Sequence, residues 1–243
     1  MIRMKPSAKK TAQRILVIDV GGTHVKVLAT GQRAERKFAS GPQMTAKRMV
    51  ASVKNITRDW KFDVISIGYP GPVIHAKPLH EPANLGGGWV SFNFHKAFGK
   101  PVKLVNDAAM QALGSYRGGR MLFLGLGTGL GTAMIVDGLL EPMELGHLPY
   151  KKGKTYEDFV GIRGLVRLGK KKWRRHVADV VEKLRAALEP DYIVVGGGNV
   201  HKLKNLPPHT FAGENENAFR GGFRLWNDNS ASGNSPQIRK ITG

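Results

Sequence analysis

Three glycine-rich turns and a few isolated carboxylates are the residues best equipped for chemistry in this 243-residue chain. The first turn, Asp19-Val20-Gly21-Gly22-Thr23, follows a short apolar run. Glycines let a backbone come close to an oxyanion, and successive N–H groups form an anion-binding nest. Thr23 adds a hydroxyl donor and Lys26 a point charge. Asp19 suits a hydrated Mg²⁺, which takes a carboxylate together with phosphate oxygens. An ordinary hairpin turn with an incidental Asp explains the same residues. The second turn carries Gly125, Gly127, Thr128, Gly129 and Gly131. It has neither the Lys-Ser/Thr of a P-loop nor a clear strand–turn–helix setting. The third is Gly196-Gly197-Gly198. Three such turns at strand ends favour a ligand that bears phosphate. Asp107 follows another apolar run at the start of a helix. There a carboxylate either caps the helix or takes the proton of an attacking hydroxyl.

The elements that must position these groups follow from apolar spacing. Residues 15–20 read as a buried strand, with 25–29 and 37–39 as hairpin partners. Residues 45–60 read as a helix (Met49, Val50, Val53 and Ile56 on one face), with Thr45 as N-cap. Buried strands are expected at 64–67 and 102–105, the latter running into a helix at 108–113. Residues 121–126 and 132–136 flank the second glycine turn as a hairpin. A helix over 173–188, ended by Pro190, feeds a strand at 192–195. Strands leading into helices imply α/β layers with ligands at the strand ends. Strand–glycine turn–strand at 15–29 recurs at 121–136, as in a duplicated fold of two lobes with a cleft between them. The expected division is a basic arm at 1–14, an N-terminal α/β lobe at 15–113, a C-terminal α/β lobe at 114–226 and a disordered tail at 227–243.

Composition narrows the function classes. With 41% hydrophobic residues the chain is not a disordered polymer. It has no cysteine, which excludes disulfides, thiolate metal sites and a cysteine nucleophile. The 38 Lys+Arg against 18 Asp+Glu give a formal charge of +20, which favours polyanions: nucleic acid, membrane headgroups or a phosphate-rich substrate. A solvated basic surface accounts for the same charge. Residues 1–14 are basic but lack the apolar core of a secretory signal. The uncharged 121–136 stretch is shorter than the ~20 apolar residues of a membrane span. A soluble, cytoplasmic protein is therefore expected.

Six motifs together resemble the ROK family of sugar kinases. They are Asp19-Val20-Gly21-Gly22-Thr23, Gly68-Tyr69-Pro70-Gly71-Pro72, Asn84-Leu85, Val105-Asn106-Asp107-Ala108, Gly127-Thr128-Gly129 and Glu144-Leu145-Gly146-His147, in the family's order. The resemblance covers residues 15 to 226. It implies an actin-like ATPase fold (hexokinase-type, RNase H-like), with two α/β lobes closing over sugar and phosphoryl donor. Most ROK kinases carry a cysteine-rich zinc motif just after the Glu-x-Gly-His segment. Its absence here implies no zinc and points to the branch of bacterial polyphosphate/ATP glucokinases. About 14 residues precede the first strand, too few for the helix-turn-helix domain of ROK repressors.

The resemblance assigns roles residue by residue. Asp107 is the base that deprotonates the 6-hydroxyl of glucose, while Asn84, Asn106, Glu144, His147 and Glu157 contact the sugar. From the glycine turns themselves, Gly21, Gly22, Thr23, Lys26, Gly127, Thr128 and Gly129 are expected to bind phosphate. Gly196, Gly197 and Gly198 resemble the family's nucleotide-side loop, while Asp19, by its residue type, is expected to hold Mg²⁺ directly or through water. The implied activity is transfer of a phosphoryl group from polyphosphate, ATP or both to glucose, an early step of glycolysis. Mannose or N-acetylglucosamine are alternative acceptors. An alternative of another class is a non-catalytic polyanion- or nucleic-acid-binding protein on a kinase-like scaffold, although no specific nucleic acid is expected. Ten Lys/Arg lie between Lys151 and Arg175. Of these, Lys170, Lys171, Lys172, Arg174 and Arg175 are candidates for a polyphosphate track, and a solvated helix face is the plainer reading. Family members are often dimers, so a homodimer follows by analogy.

Overall fold

The computed structural model describes residues 13–214 and 216–226. The tail expected at 227–243, and all but the last two residues of the arm expected at 1–14, lie outside the described residues. The first half of the chain runs β1 (Ile15–Val20), β2 (His24–Ala29), β3 (Arg36–Ala39), α1 (Ala46–Ile56), β4 (Val64–Tyr69), β5 (Val73–Ile74), β6 (Lys77–Pro78), α2 (Phe94–Phe98), β7 (Val102–Asn106) and α3 (Asp107–Ser115). The second half runs β8 (Arg120–Leu126), β9 (Leu130–Val136), β10 (Leu139–Met143), α4 (Tyr156–Val160), α5 (Ile162–Leu188), β11 (Tyr192–Gly196), β12 (Thr210–Ala212) and α6 (Asn217–Arg224).

The strands form two five-stranded sheets, ordered β3-β2-β1-β4-β7 and β10-β9-β8-β11-β12, and a small β5-β6 hairpin. The two large sheets match position by position. In each, the first three strands in sequence form an antiparallel meander and two further strands add in parallel. The repeat read at 15–29 and 121–136 is thus the opening hairpin of each sheet. The interior strand β4 is buried along its whole length, as a parallel strand covered on both faces must be.

Thr45 does cap α1, its hydroxyl accepting from Arg48 N at 3.2 Å. The helix stops at Ile56, short of the expected 60, and Trp60 turns back into the core. Met49, Val50 and Val53 pack with Leu16, Ile18, Ile65 and the fully buried Trp89 in the core of the first sheet. In the second sheet, Trp173, Val177, Val180, Val181 and Leu184 of α5 pack on Leu122, Leu124, Ile193 and Val195. This helix starts eleven residues earlier than expected and breaks its helical path at Gly169 (φ 70°).

Two helices join the halves by exchanging sides. α3 leaves β7 of the first sheet, yet Ala108, Ala109, Ala112 and Leu113 pack on Met121, Phe123, Ala133 and Ile135 of the second. α6 follows β12 of the second sheet, yet Ala218 and Phe219 pack on Ile15, Val17 and Val64 of the first. Ser66 Oγ donates to Gly222 O (2.6 Å) and accepts from Trp226 Nε1 (2.9 Å), tying the chain's return to β4. The two helices cross at glycines. A Cβ on Gly221 would overlap the backbone of Met110, and one on Gly114 the backbone of Asn217. Residues 217–226, expected in the C-terminal lobe, therefore pack against the N-terminal sheet. No helix among the described residues is long and apolar enough to cross a membrane.

Candidate active site

Asp19, Gly68 and Val105 lie side by side near the C-terminal ends of β1, β4 and β7. Ligands of open α/β sheets gather at such strand ends. Asp107 follows two residues after Val105 as the first residue of α3. The capping role belongs to Asn106, whose Oδ1 accepts from Ala109 N at 3.0 Å. Asn106 Nδ2 donates to Gly71 O at 3.0 Å, which fixes the Gly68–Pro72 turn beside the helix start. Asn106 thus relieves Asp107 of the cap, and the Asp107 carboxylate accepts from its neighbour's N–H (Ala108 N to Oδ1, 2.7 Å).

Burial pushes the Asp107 carboxyl up to about 7, and the negative charges of Asp19 and then Glu144 add to the rise. Asp19 is pushed up to about 6 by burial, an effect opposed by Lys26 directly across the β1–β2 ladder. Two carboxylates that resist ionising beside one another suit a proton acceptor and a cation site. Among the described residues no group of three or more His, Asp or Glu is gathered as a metal ligand set. Asp19 supplies one carboxylate of the kind that a hard cation such as Mg²⁺ takes together with waters and phosphate oxygens.

The first glycine turn is a tight hairpin. Gly21 N donates to His24 O at 3.0 Å, so Gly21 has no N–H left for an anion. Ser40 Oγ donates to Gly21 O (2.6 Å), bracing the turn from β3's end. Asn84 approaches Gly22 closely. Glu81 holds the adjoining loop by accepting from Trp89 N at 3.1 and 3.0 Å and from Val90 N at 3.3 Å.

Across the site, the second glycine turn joins β8 to β9. Gly127 O and Thr128 O both accept from Ile162 N at 3.1 Å, and Gly127 O also accepts from Asn199 Nδ2 at 3.1 Å. Gly197, at φ 81°, lies against the backbone of Leu126, and Asn199 N donates to Leu126 O at 2.9 Å. The second and third turns are thereby brought together, with Asn199 as their clasp. Reading the sequence did not mark Asn199; its only local signal is its position after three glycines.

Three of the sugar-side candidates, Glu144, His147 and Glu157, share one segment. Thr132 Oγ1 donates to Met143 O (2.7 Å) and accepts from Leu145 N (3.1 Å), anchoring the turn that presents Glu144 and His147. The His147 Nδ1 lies 3.9 Å from Glu144 Oε2, with both side chains open to solvent. Burial is the main cause that pushes the Glu144 carboxyl up, and His147 counters it. Glu157 in α4 sits against Gly129 and Gly146. A Cβ on Gly129 would overlap its carboxylate. Arg163 pairs with Glu157 at 3.3 Å and with Asp158 at 3.5 Å. So Glu157 bridges the sugar-side segment and the second glycine turn. In contrast, Thr23 and Lys26 make no described contact with Gly127–Gly129. Of the basic stretch, Lys170, Lys171, Lys172 and Arg175 are exposed, while Arg174 Nε is committed to Lys202 O (2.6 Å).

The sequence model of the ROK family matches residues 15–154, more than half of the chain. A polyphosphate glucokinase of Mycobacterium tuberculosis is 30% identical over 219 residues, covering 79% of this chain and 80% of that protein. Among solved structures, the inorganic polyphosphate/ATP-glucomannokinase of Arthrobacter sp. strain KM superposes with a TM-score of 0.72 at 22% identity, over 88% of this chain and 98% of that one. A ROK family glucokinase of Streptomyces griseus, solved with glucose and AMPPNP, gives 0.71 at 17% identity, over 87% and 98%. These likenesses give the two-sheet architecture its name, the actin-like ATPase fold. On sequence and fold alike, the chain belongs to the ROK family.

Proposed function

We propose that this protein is a glucokinase that transfers a phosphoryl group from polyphosphate, ATP or both to the 6-hydroxyl of glucose. The observation that carries the reading is Asp107: a carboxyl freed from capping, at a strand end, raised to about 7 by burial and its neighbours. General bases work best with a pKa near the operating pH. In phosphoryl transfer a positioned carboxylate takes the hydroxyl proton while the site neutralises phosphate charge. Asp107 Oδ2 is the acceptor in this reading, since Oδ1 already accepts from Ala108 N.

Asn84, Glu144, His147 and Glu157 hold the sugar by paired polar contacts, each costly to leave unmatched. Asn106 contributes by fixing the helix start. Gly22, Thr23 and Lys26 on one side, with Gly127, Thr128 and Gly129 on the other, flank the donor phosphates. Gly196, Gly197 and Gly198 border an ATP base or the continuing polyphosphate. Asp19 holds Mg²⁺, which when bound supplies charge neutralisation at the phosphoryl group. With Mg²⁺ as the metal, no zinc is required. We also infer a cytoplasmic enzyme and, by family analogy, a homodimer.

The polyphosphate option is supported by the Mycobacterium relative's name and by the exposed Lys170, Lys171, Lys172 and Arg175. The glucomannokinase neighbour favours mannose as a second acceptor. The test is coupled detection of glucose 6-phosphate with Mg²⁺, supplying ATP or long-chain polyphosphate at low and high salt. Turnover with polyphosphate that falls with salt is expected, by the counterion logic of polyanion binding. Absence of turnover with either donor contradicts the proposal.

A further inference from the structure

Outside the site described above, the described residues hold a cluster of titratable groups at α5 that the proposed reaction does not use. Tyr150 lies in the turn that follows His147. Pro149 pairs with Thr155 across this turn, Tyr150 N donates to Lys154 O at 2.8 Å, and Tyr156 N donates to Leu148 O at 3.1 Å. The Tyr150 ring packs on Tyr156 and edge-on to Phe159, at centroid distances of 5.3 and 5.0 Å. Its phenol reaches α5, 2.5 Å from Asp179 Oδ2 and 2.9 Å from His176 Nδ1. Lys151 Nζ reaches the same Asp179 oxygen at 3.1 Å.

The protons in this cluster are fixed by simple counting. Burial and Asp179 push the phenol up, so it keeps its hydrogen and donates it to the carboxylate. The contact with His176 then requires Nδ1–H as donor to the phenol oxygen. Burial and Lys151 hold the His176 ring below its usual value, so the ring is neutral and carries this tautomer. The phenol oxygen thus donates to Asp179 and accepts from His176, while Asp179 Oδ2 accepts from both Tyr150 and Lys151, and the arrangement is a closed tether.

The tether has a clear mechanical consequence. Glu144, His147 and Glu157 all lie in the stretch 144–157, whose solvent side carries Lys151, Lys152 and Lys154. One end of this stretch is anchored by Thr132 and the other by α4. Its middle is held to the long helix through Tyr150 and Lys151. We propose that Tyr150 is a positioning residue for the acceptor sugar: by fastening this turn to α5, it holds Glu144, His147 and Glu157 in one arrangement. The acceptor role rests on the kinase reading above.

The test uses the full chain and the Tyr150→Phe variant, which keeps the ring packing and removes only the phenol oxygen. Loss of a hydrogen bond to a charged partner is expected to raise the KM for glucose about tenfold. The KM for ATP should stay within about twofold, because the glycine turns keep their own backbone hydrogen bonds to Ile162 and Asn199. Amide exchange across 144–157 should quicken with little change in Tm. Asp179→Leu should give the same rise in glucose KM, and the double variant no further rise, as for two members of one network. A glucose KM that does not move, or two KM values that rise together with a falling Tm, overturns the proposal. Absence of glucose turnover in the unmodified enzyme overturns the kinase reading and the acceptor role with it. The exchange measurement separately decides the tether: unchanged exchange across 144–157 refutes it whatever the acceptor.

Discussion

Replacing Asp19 with Asn should lower the pKa of Asp107, and the size of the drop follows from the sheet. Asp19 and Val105 sit on β1 and β7, with β4 between them. Two strand spacings put the backbones of Asp19 and Val105 about 10 Å apart, and that length sets the scale for the separation of the Asp19 and Asp107 carboxylates. Two like charges at that separation repel by roughly 1.7 kcal/mol at an effective dielectric of about 20, or about one pKa unit. Burial is the larger cause of the rise at Asp107 and survives the substitution. The Asp107 carboxyl should therefore fall from about 7 by roughly one unit and stay well above the ordinary carboxylate range. Carboxyl ¹³C NMR titration of the metal-free protein reads this directly, without relying on turnover. The unmodified protein should show two coupled steps belonging to the pair, and the variant one. An Asp107 titration that does not move in the variant would refute the coupling of the two carboxylates. A fall to the ordinary value near 4 would refute burial as the larger cause.

Three further outcomes are expected. Both raised carboxyls make the folded state bind more protons than the unfolded chain between about pH 4 and 7, so stability falls as pH rises through that window. Asp107→Asn should consequently stabilise the fold at pH 8 by roughly 1–2 kcal/mol, less than the full shift because solvent reaches the site; urea denaturation at pH 8 and pH 4 compares the two, with the gain vanishing at pH 4. Gly221→Ala should force apart α3 and α6 where they cross, costing about 2–3 kcal/mol and about 5–10 °C in Tm by calorimetry. Reversing charge at Lys170, Lys171 and Lys172 should raise the KM for polyphosphate severalfold and flatten its salt dependence, with the KM for ATP little changed; equal effects on both donors would rule out a polyphosphate track there.

The local patterns were legible in the sequence because they are local. β1, β4 and β7 are apolar runs that end in glycine or Asn-Asp, and α1 shows its Thr45 cap and its apolar face. β10 escaped because Glu141 and Pro142 lie in an edge strand with little burial. α6 escaped because Gly221 and Gly222 weaken its helical pattern, and their purpose is close packing on segments over a hundred residues away. The exchange of α3 and α6 between sheets leaves no trace in spacing, so a boundary drawn at 114 could not register the return of α6. At the site, residue types marked Asp107, but the choice between cap and base turned on Asn106, whose competing cap geometry only the folded chain displays. The Tyr150 tether joins residues 26 and 29 positions apart, where no motif links them.

Asp107 as the base is the central claim, and single-turnover phosphorylation of glucose with Asp107→Asn tests it most directly. The substitution keeps the side chain's shape and removes its ability to accept the proton. With donor and glucose saturating, the account predicts a rate at least about 10²-fold below that of the unmodified enzyme, with glucose still bound. A variant that turns over at the unmodified rate would contradict the assignment of Asp107 and the proposal built on it.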